Sequence, residues 1–306
     1  MAERSQIIDT AAGIVTYHPD LTRLQNNFNA VSGQVARVYC FDNGSSNIGE
    51  IRKLISRYDN FFLIENRKNA GIAAGLNKII ETARLDGFAW LLTLDQDSVC
   101  PAGMVETMLK NAVGADIAAI CPVIVDRRRP PEKREKKDTE FTDFCITSGC
   151  LVNIGLSEEI GDFDSWLFIG QVDDEFCHRI MINDKKILKI NSILLDHELG
   201  NLIPSRHRKL FLTVGKLLHS KMLLALSYRR KVSPMRVYYS TRNMVYLSRK
   251  YCDYPNPKFT KKRAIYNAFS NIIRGQKKLE IMRAAIKGYR DGSSAKVQVY
   301  MKEEGR

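Results

Sequence analysis

The 306-residue sequence has no run of 18 or more apolar residues, so no stretch reads as a membrane-spanning helix. Its first ten residues, Met1 to Thr10, carry charge and no apolar core, which gives no sign of a secretory leader. The seven cysteines (40, 100, 121, 145, 150, 177 and 252) are odd in number, scattered and without a Cys-x-x-Cys pair. That spacing supports neither a zinc site nor a disulfide framework, and a reducing cytoplasm is the expected compartment. No internal repeat is present. Acidic residues are scarce in one region only. Residues 201–306 hold 25 Lys and Arg against 5 Asp and Glu, a net of +20, whereas residues 1–200 hold 22 against 29, a net of −7. A mildly acidic body is thus joined to a strongly basic tail, which calls for an anionic partner: nucleic acid, phospholipid or a phosphorylated substrate.

What is present is the composition of a globular protein, 44% hydrophobic and 26% charged, long enough for one large domain with an appendage. From Gly13 to Leu94 apolar strand-like runs alternate with helical spacing. Strands are expected at Ile7-Ile8 with Gly13–Tyr17, at Val35–Phe41, Phe61–Glu65 and Trp90–Leu94. Helices are expected at 21–31, 48–58 and from 69 to about 84. This alternation predicts a mostly parallel α/β sheet of Rossmann-like type. Further on, a helix is expected at 101–112, a strand at 118–125, a helix at 172–183 and a strand at 187–195. The proline-interrupted charged run 126–139 reads as a solvated loop. Beyond Pro204 the pattern changes to basic helices with no clear strand. The expected division is 1–200, the nucleotide-binding body, and 201–306, a basic α-helical region.

The Trp90–Leu94 run ends in Asp95-Gln96-Asp97-Ser98. Alternation along a strand places Asp95 and Asp97 on one face, where two carboxylates repel unless a divalent cation or a turn accommodates them. Three further clusters carry chemistry. Asp42 ends a strand beside Asn43-Gly44-Ser45 and is either a turn former or an acceptor for a nucleoside. Asp173-Asp174-Glu175 is either an acidic helix cap or a set of carboxylates whose mutual repulsion raises one pKa toward that of a general base. His197 follows a strand at Asp196-His197 and is either a surface histidine or a metal ligand.

The ordered set Ile14-Val15-Thr16-Tyr17-His18-Pro19, Asp42-Asn43-Gly44-Ser45, Asn69-x-Gly71-Ile72-Ala73 and Leu94-Asp95-Gln96-Asp97-Ser98 resembles the family 2 glycosyltransferases. Within that family it is most similar to the bacterial rhamnosyltransferase branch. Thr147-Ser148-Gly149, Val172-Asp173-x-Glu175-Phe176-x-x-Arg179, His197-x-Leu199-Gly200 and Tyr238-Tyr239-x-x-Arg242-Asn243 continue the likeness, which covers roughly residues 7–250. The resemblance implies a GT-A fold and an inverting transfer from a nucleotide-sugar donor, dTDP-rhamnose or a UDP-sugar, to a glycan or lipid-linked acceptor in cell-surface polysaccharide synthesis. It further implies that Thr16 and Asp42 hold the nucleoside and that Asn69 also binds the donor. Asp95 lies at the ribose and metal side, with Asp97 and His197 on a Mg²⁺ or Mn²⁺ ion. Ser148 and Gly149 would form a backbone wall under the sugar. Asp173 would be the base, and Glu175 and Trp166 would face the acceptor. The chain departs from the family pattern at Gly170-Gln171, where an acidic–aromatic pair often stands, and at His178, where an apolar residue is common.

Arg206 and Arg208, after the His197 strand, are placed to close over a diphosphate. The tail's cations, among them Arg229-Arg230-Lys231, Arg249-Lys250, Lys261-Lys262-Arg263 and Lys277-Lys278, suit either solvated helices packed on the body or contact with an anionic membrane face. Phe211, Val214, Leu218, Met222 and Ala225 are expected to line one helical face there. No nucleic-acid-binding motif is recognisable, so no nucleic-acid partner is expected. The rival readings are a sugar-nucleotide pyrophosphorylase, disfavoured by the lack of a Gly-rich, basic loop after the first strand, and a non-catalytic basic scaffold.

Overall fold

Strand β1 (Thr10–Thr16) is buried along its whole length and is an interior strand of an eight-stranded sheet. A strand covered on both faces has no polar side to show, so its sequence TAAGIVT does not alternate. The computed structural model describes residues 9–126, 137–197, 202–220, 223–224, 227–230 and 232–302. The chain divides into two compact units, Met1–His197 and Glu198–Glu303.

In the first unit the other strands are β2 (Arg37–Asn43), β3 (Phe61–Asn66), β4 (Trp90–Asp95), β5 (Ile117–Val125), β6 (Thr139–Thr142), β7 (Cys150–Asn153) and β8 (Lys186–Asp196). They are ordered β3-β2-β1-β4-β7-β5-β8-β6. Parallel pairing joins β3, β2, β1 and β4, and separately β5 and β8. β7 is antiparallel to both β4 and β5, so those two run the same way. The carboxyl ends of β1, β2, β4, β5 and β8 therefore open on one edge, and the start of the reversed strand β7 opens there too.

The helices are α1 (Leu21–Val31), α2 (Ile48–Ile55), α3 (Ile72–Leu85), α4 (Met104–Lys110), α5 (Ile154–Ile160) and α6 (Val172–Ile182). Asp20 caps α1 by accepting the Arg23 N–H at 3.0 Å, and Leu24, Phe28 and Val31 turn one stripe of that helix inward. Those three are wholly buried with Ile14, Leu92, Met104 and Met108, each large side chain contributing about 1.5–3 kcal/mol by leaving water.

Several expectations need correction. The expected first strand lies at Thr10–Thr16; Ile7 and Ile8 lie outside the described residues, as do residues 127–136 of the charged run. That run is followed at Thr139 by an unexpected edge strand, β6, antiparallel to β8. Its four residues, with Glu140 paired to Lys189, are too short and polar to stand out by pattern.

The second unit holds α7 (Arg208–Leu217), α8 (Pro234–Lys250), α9 (Lys261–Arg274) and α10 (Lys278–Ser294). It also contains strands, contrary to expectation: β9 (Leu202–Pro204) pairs antiparallel with β10 (Tyr228–Arg230), so Arg229 and Arg230 sit in a strand and not a helix. The proposed apolar face from Phe211 to Ala225 is interrupted, because α7 stops at Leu217 and Leu218 is well exposed; Met222 and Ala225 lie outside the described residues. Helices α8 and α10 cross closely. A Cβ on Gly288 would stand 2.4 Å from the Tyr238 carbonyl oxygen, a contact only glycine avoids. Among the described residues no helix is long and apolar enough to cross a membrane.

Candidate active site

The mouth of the first unit's sheet is assembled by loops tied to one another through side chains. At the end of β1, buried Thr16 donates its hydroxyl to Asp42 Oδ1 at 3.2 Å, joining β1 to β2. The other Asp42 oxygen accepts the N–H groups of Gly44 at 3.1 Å and Ser45 at 2.9 Å. Asp42 is only 1% exposed, so most of its hydrogen-bonding capacity folds the 42–45 turn. The His18 N–H reaches Ser45 Oγ at 2.9 Å, and the Ser46 N–H reaches His18 Nδ1 at 3.1 Å. Asn69 completes this side. Its Oδ1 accepts the Gly71 N–H at 2.9 Å, while the Ala70 N–H goes to Asn43 Oδ1 at 2.8 Å.

Asp95 stands in the middle of the mouth. Its carbonyl accepts from Asn27 Nδ2 at 2.7 Å, its N–H donates to Ser148 Oγ at 3.4 Å, and its Oδ2 lies 3.7 Å from His197 Nε2. The His197 backbone N–H is held by the Val125 carbonyl at 3.0 Å, which places the ring at the end of β5 and β8. The ring's other nitrogen, Nδ1, is 3.2 Å from Ser98 Oγ, and Ser98 Oγ is 2.6 Å from Ser148 Oγ. Ser98 and Ser148 are both buried, so this is a fixed chain of hydroxyls behind the histidine.

Asp97 goes elsewhere. It is exposed and 3.7 Å from Arg23 Nη1, a solvent-screened pair worth little. The structure brings His197 to Asp95, one of the two carboxylates expected to share a cation with it, and sets Asp97 beside Arg23. Gln96 turns back, accepting the Tyr17 N–H at 2.8 Å. Among the described residues no three His, Cys, Asp or Glu side chains form a group able to hold a metal ion. Asp95 and His197 could offer two donors, one oxygen and one nitrogen, to a hard cation that took its other ligands from elsewhere.

Ser148 and Gly149 enter the mouth because β7 is antiparallel. The Gly149 N–H donates to the Thr93 carbonyl at 2.7 Å, and its φ of +81° is a left-handed conformation. A Cβ there would come within 2.5 Å of Leu195 Cδ2 and 3.2 Å of Pro122 Cγ. The left-handed backbone and close packing against β8 and β5 both favour glycine here.

Asp173 lies on the first turn of α6, with the Thr147 N–H donating to its Oδ1 at 3.1 Å. Burial first, and the charge of Asp95 second, push its carboxyl up to about 7; the Thr147 bond pulls the other way and the Asp174 charge adds last. The sequence reading credited repulsion within the Asp173–Glu175 triplet, whereas the stronger charge comes from another strand. Glu175 is not brought to the mouth. It is wholly buried and bound by both oxygens to Arg179, at 2.8 Å from Nη2 and 3.1 Å from Nε. Arg179 Nη1 in turn donates to the Ile160 carbonyl at 3.2 Å. This is a bracing ion pair in place of the expected acceptor contact. Trp166 is half-buried in the loop before α6, its N–H on Asp164 Oδ1 at 3.0 Å. Arg206 and Arg208 belong to the second unit and are exposed.

Sequence reasoning missed Ser98, Asn27 and Gln96 as parts of the site. Gln96 lies inside the acidic motif and Ser98 adjoins it, so both were within reach of inspection; Asn27 carries no signal beyond its residue type.

The mostly parallel α/β sheet, with Thr16, Asp42, Asp95, His197 and a raised-pKa carboxyl at its mouth, has the architecture of the GT-A fold. The solved structures bear the fold out. GalNAc-T7, solved with UDP, GalNAc and Mn²⁺, superimposes with a TM-score of 0.52 at 13% identity over 78% of this chain, which spans 51% of that one. TarS 1–349 of S. aureus does so with a TM-score of 0.51 at 13% identity, over 93% of this chain and 90% of its own. The family model of glycosyl transferase family 2 matches residues 13–177, and the chain belongs to that family. The dTDP-rhamnosyl transferase RfbF of Shigella flexneri is 26% identical over 206 residues, 62% of this chain and 69% of its own length. Within that family the branch resembled is the rhamnosyltransferases.

Proposed function

We propose that the chain transfers rhamnose from a pyrimidine nucleotide diphosphate donor, dTDP-rhamnose foremost, to a glycan or lipid-linked acceptor hydroxyl, with inversion at the anomeric carbon. The observation that carries this reading is the convergence, at one sheet mouth, of an Asp95–His197 donor pair and a separate carboxyl, Asp173, raised to about 7. The nucleoside would lie against the turn that Thr16 and Asp42 fold, with Asn69 beside it. Asp95 and His197 would hold a Mg²⁺ or Mn²⁺ ion, which offsets charge developing on the departing diphosphate. Were Nε2 to serve as the ligand, Nδ1 would be left to donate to Ser98 Oγ, which would fix the ring's direction. Asp173, near neutrality in its affinity for protons, takes the acceptor hydroxyl proton as the hydroxyl attacks the face opposite the leaving group. The RfbF likeness supports the sugar and nucleotide.

The test is competition binding with dTDP, UDP and GDP, followed by sugar release from dTDP-rhamnose and UDP-sugars with and without chelator. Preference for dTDP or UDP with chelator-sensitive turnover is expected. Preference for GDP defeats the rhamnosyl assignment, and chelator-insensitive transfer defeats the cation.

A further inference from the structure

Helix α9 carries a second apolar stripe beside the one it buries, with Ser270, Asn267, Asn271 and Arg274 on its remaining side. The inward face is Ala264 and Ala268 with half-buried Ile272; Ala268 packs with Val237, Ile281 and Ala285, and Ala264 with Met244 and Val245. The other face carries Ile265, Tyr266, Phe269 and Ile273, which remain 56%, 71%, 62% and 59% exposed. At 100° per residue these four fall within an arc of about 100°, so they form one ridge and not scattered exceptions. Lys262 lies in the same arc and Lys261 and Arg263 flank it, all three exposed at the helix start. The helix has four cations, counting Arg274, and no carboxylate. Neighbouring α10 repeats the arrangement, with exposed Leu279 and Ile286 sharing an arc with Arg283 and Arg290.

We infer that the outer face of α9, extended by that of α10, is a docking surface for an anionic lipid leaflet, the ridge entering the headgroup–acyl boundary and the cations meeting lipid phosphates. The composition is that of helices lying in the plane of an interface, an apolar ridge bordered by Lys and Arg. Charge selects this occupant over a second copy of the chain, since dimerisation would bring two regions of net +20 together. Nucleic acid would satisfy the cations but leave Ile265, Phe269 and Ile273 in water, where three aliphatic or phenyl groups make no phosphate contact. The inference stands apart from the sugar assignment: a sheet mouth of any donor preference could be carried to a membrane this way.

The test uses the full chain and sonicated vesicles of phosphatidylcholine alone or with phosphatidylglycerol. Sedimentation with the anionic vesicles only, reversed by added salt, is expected. Each cation near an anionic surface is worth roughly a fivefold gain in partitioning, so Lys261→Glu, Lys262→Glu and Arg263→Glu together should lower binding by at least about 10². Phe269→Ser with Ile273→Ser should lower it roughly tenfold or more while leaving nucleotide binding and melting temperature unchanged. In Phe269→Trp, brominated acyl chains should quench the added fluorescence. Equal binding to neutral and anionic vesicles, wild-type binding by both sets of variants, or an unquenched Trp at 269 overturns the inference. So does a dimer that Phe269→Ser dissociates without any vesicle binding, or retention on nucleic acid in place of vesicles.

Discussion

Replacing Asp173 with Asn separates what this carboxyl does for chemistry from what it costs the fold. An aspartate whose native pKa is about 7, against an ordinary value of 3.8, keeps in the folded state a proton that the unfolded chain releases. The sign follows: stability is greatest where both states are protonated, falls as pH rises through 3.8, and stops falling above about 7. The integrated penalty is on the order of 1–2 kcal/mol at pH 5 and about 4 kcal/mol at pH 8. Asn at this position is neutral at both pH values, and its carbonyl oxygen can still accept the Thr147 N–H. The variant should therefore gain stability over the wild type by roughly 2–3 kcal/mol more at pH 8 than at pH 5. For a unit of this size that is a melting-temperature difference widening by about 5–10 °C. Thermal unfolding without nucleotide, at the two pH values, measures it. The same variant should bind donor yet lose transfer by about 10²–10⁴, while wild-type kcat/KM rises with pH as the carboxyl gives up its proton. A variant no more stabilised at pH 8 than at pH 5 refutes the burial argument. Near-normal transfer moves the base elsewhere, with Asp174 the next to examine.

The hydroxyl chain behind His197 gives a second expectation. Ser98→Ala should weaken Mn²⁺ affinity in the presence of dTDP by about 10–100-fold by titration calorimetry, with dTDP binding in chelator unchanged; unaltered Mn²⁺ affinity would show that the ring is oriented without it. Glu175→Gln should cost about 3–5 kcal/mol in denaturant unfolding, because the Arg179 charge loses its carboxylate partner inside the protein. A loss of transfer with stability intact would instead return Glu175 to the acceptor side.

Much of the first unit was legible because its strands and helices differ in period. Helix α1 was read at its true bounds, since Leu24, Phe28 and Val31 mark one stripe and Asp20 caps its start. The family motifs lie at strand ends, so finding the strands placed Thr16, Asp42 and Asp95 on a common edge. The missed strands were those whose formation depends on partners. Three- and four-residue segments such as β6, β9 and β10 carry too few side chains to show alternation, and it is pairing with β8 or with each other that makes them strands.

The acidic triplet shows why composition at a site does not give its chemistry. Residues 173, 174 and 175 are adjacent in sequence, but successive helical positions turn by 100°, so Asp173 and Glu175 point about 160° apart. One direction meets the Thr147 N–H and the field of Asp95; the other meets Arg179 one turn further along the same helix. Arg179 is the nearest cation in the sequence to all three carboxylates, and a guanidinium shared with Asp173 would have pulled its pKa down. Its two-point grip on Glu175 commits that charge to the interior. Asp173 is thereby left with burial and Asp95 as its main influences, and the reading of a base depends as much on where Arg179 is held as on the aspartate itself.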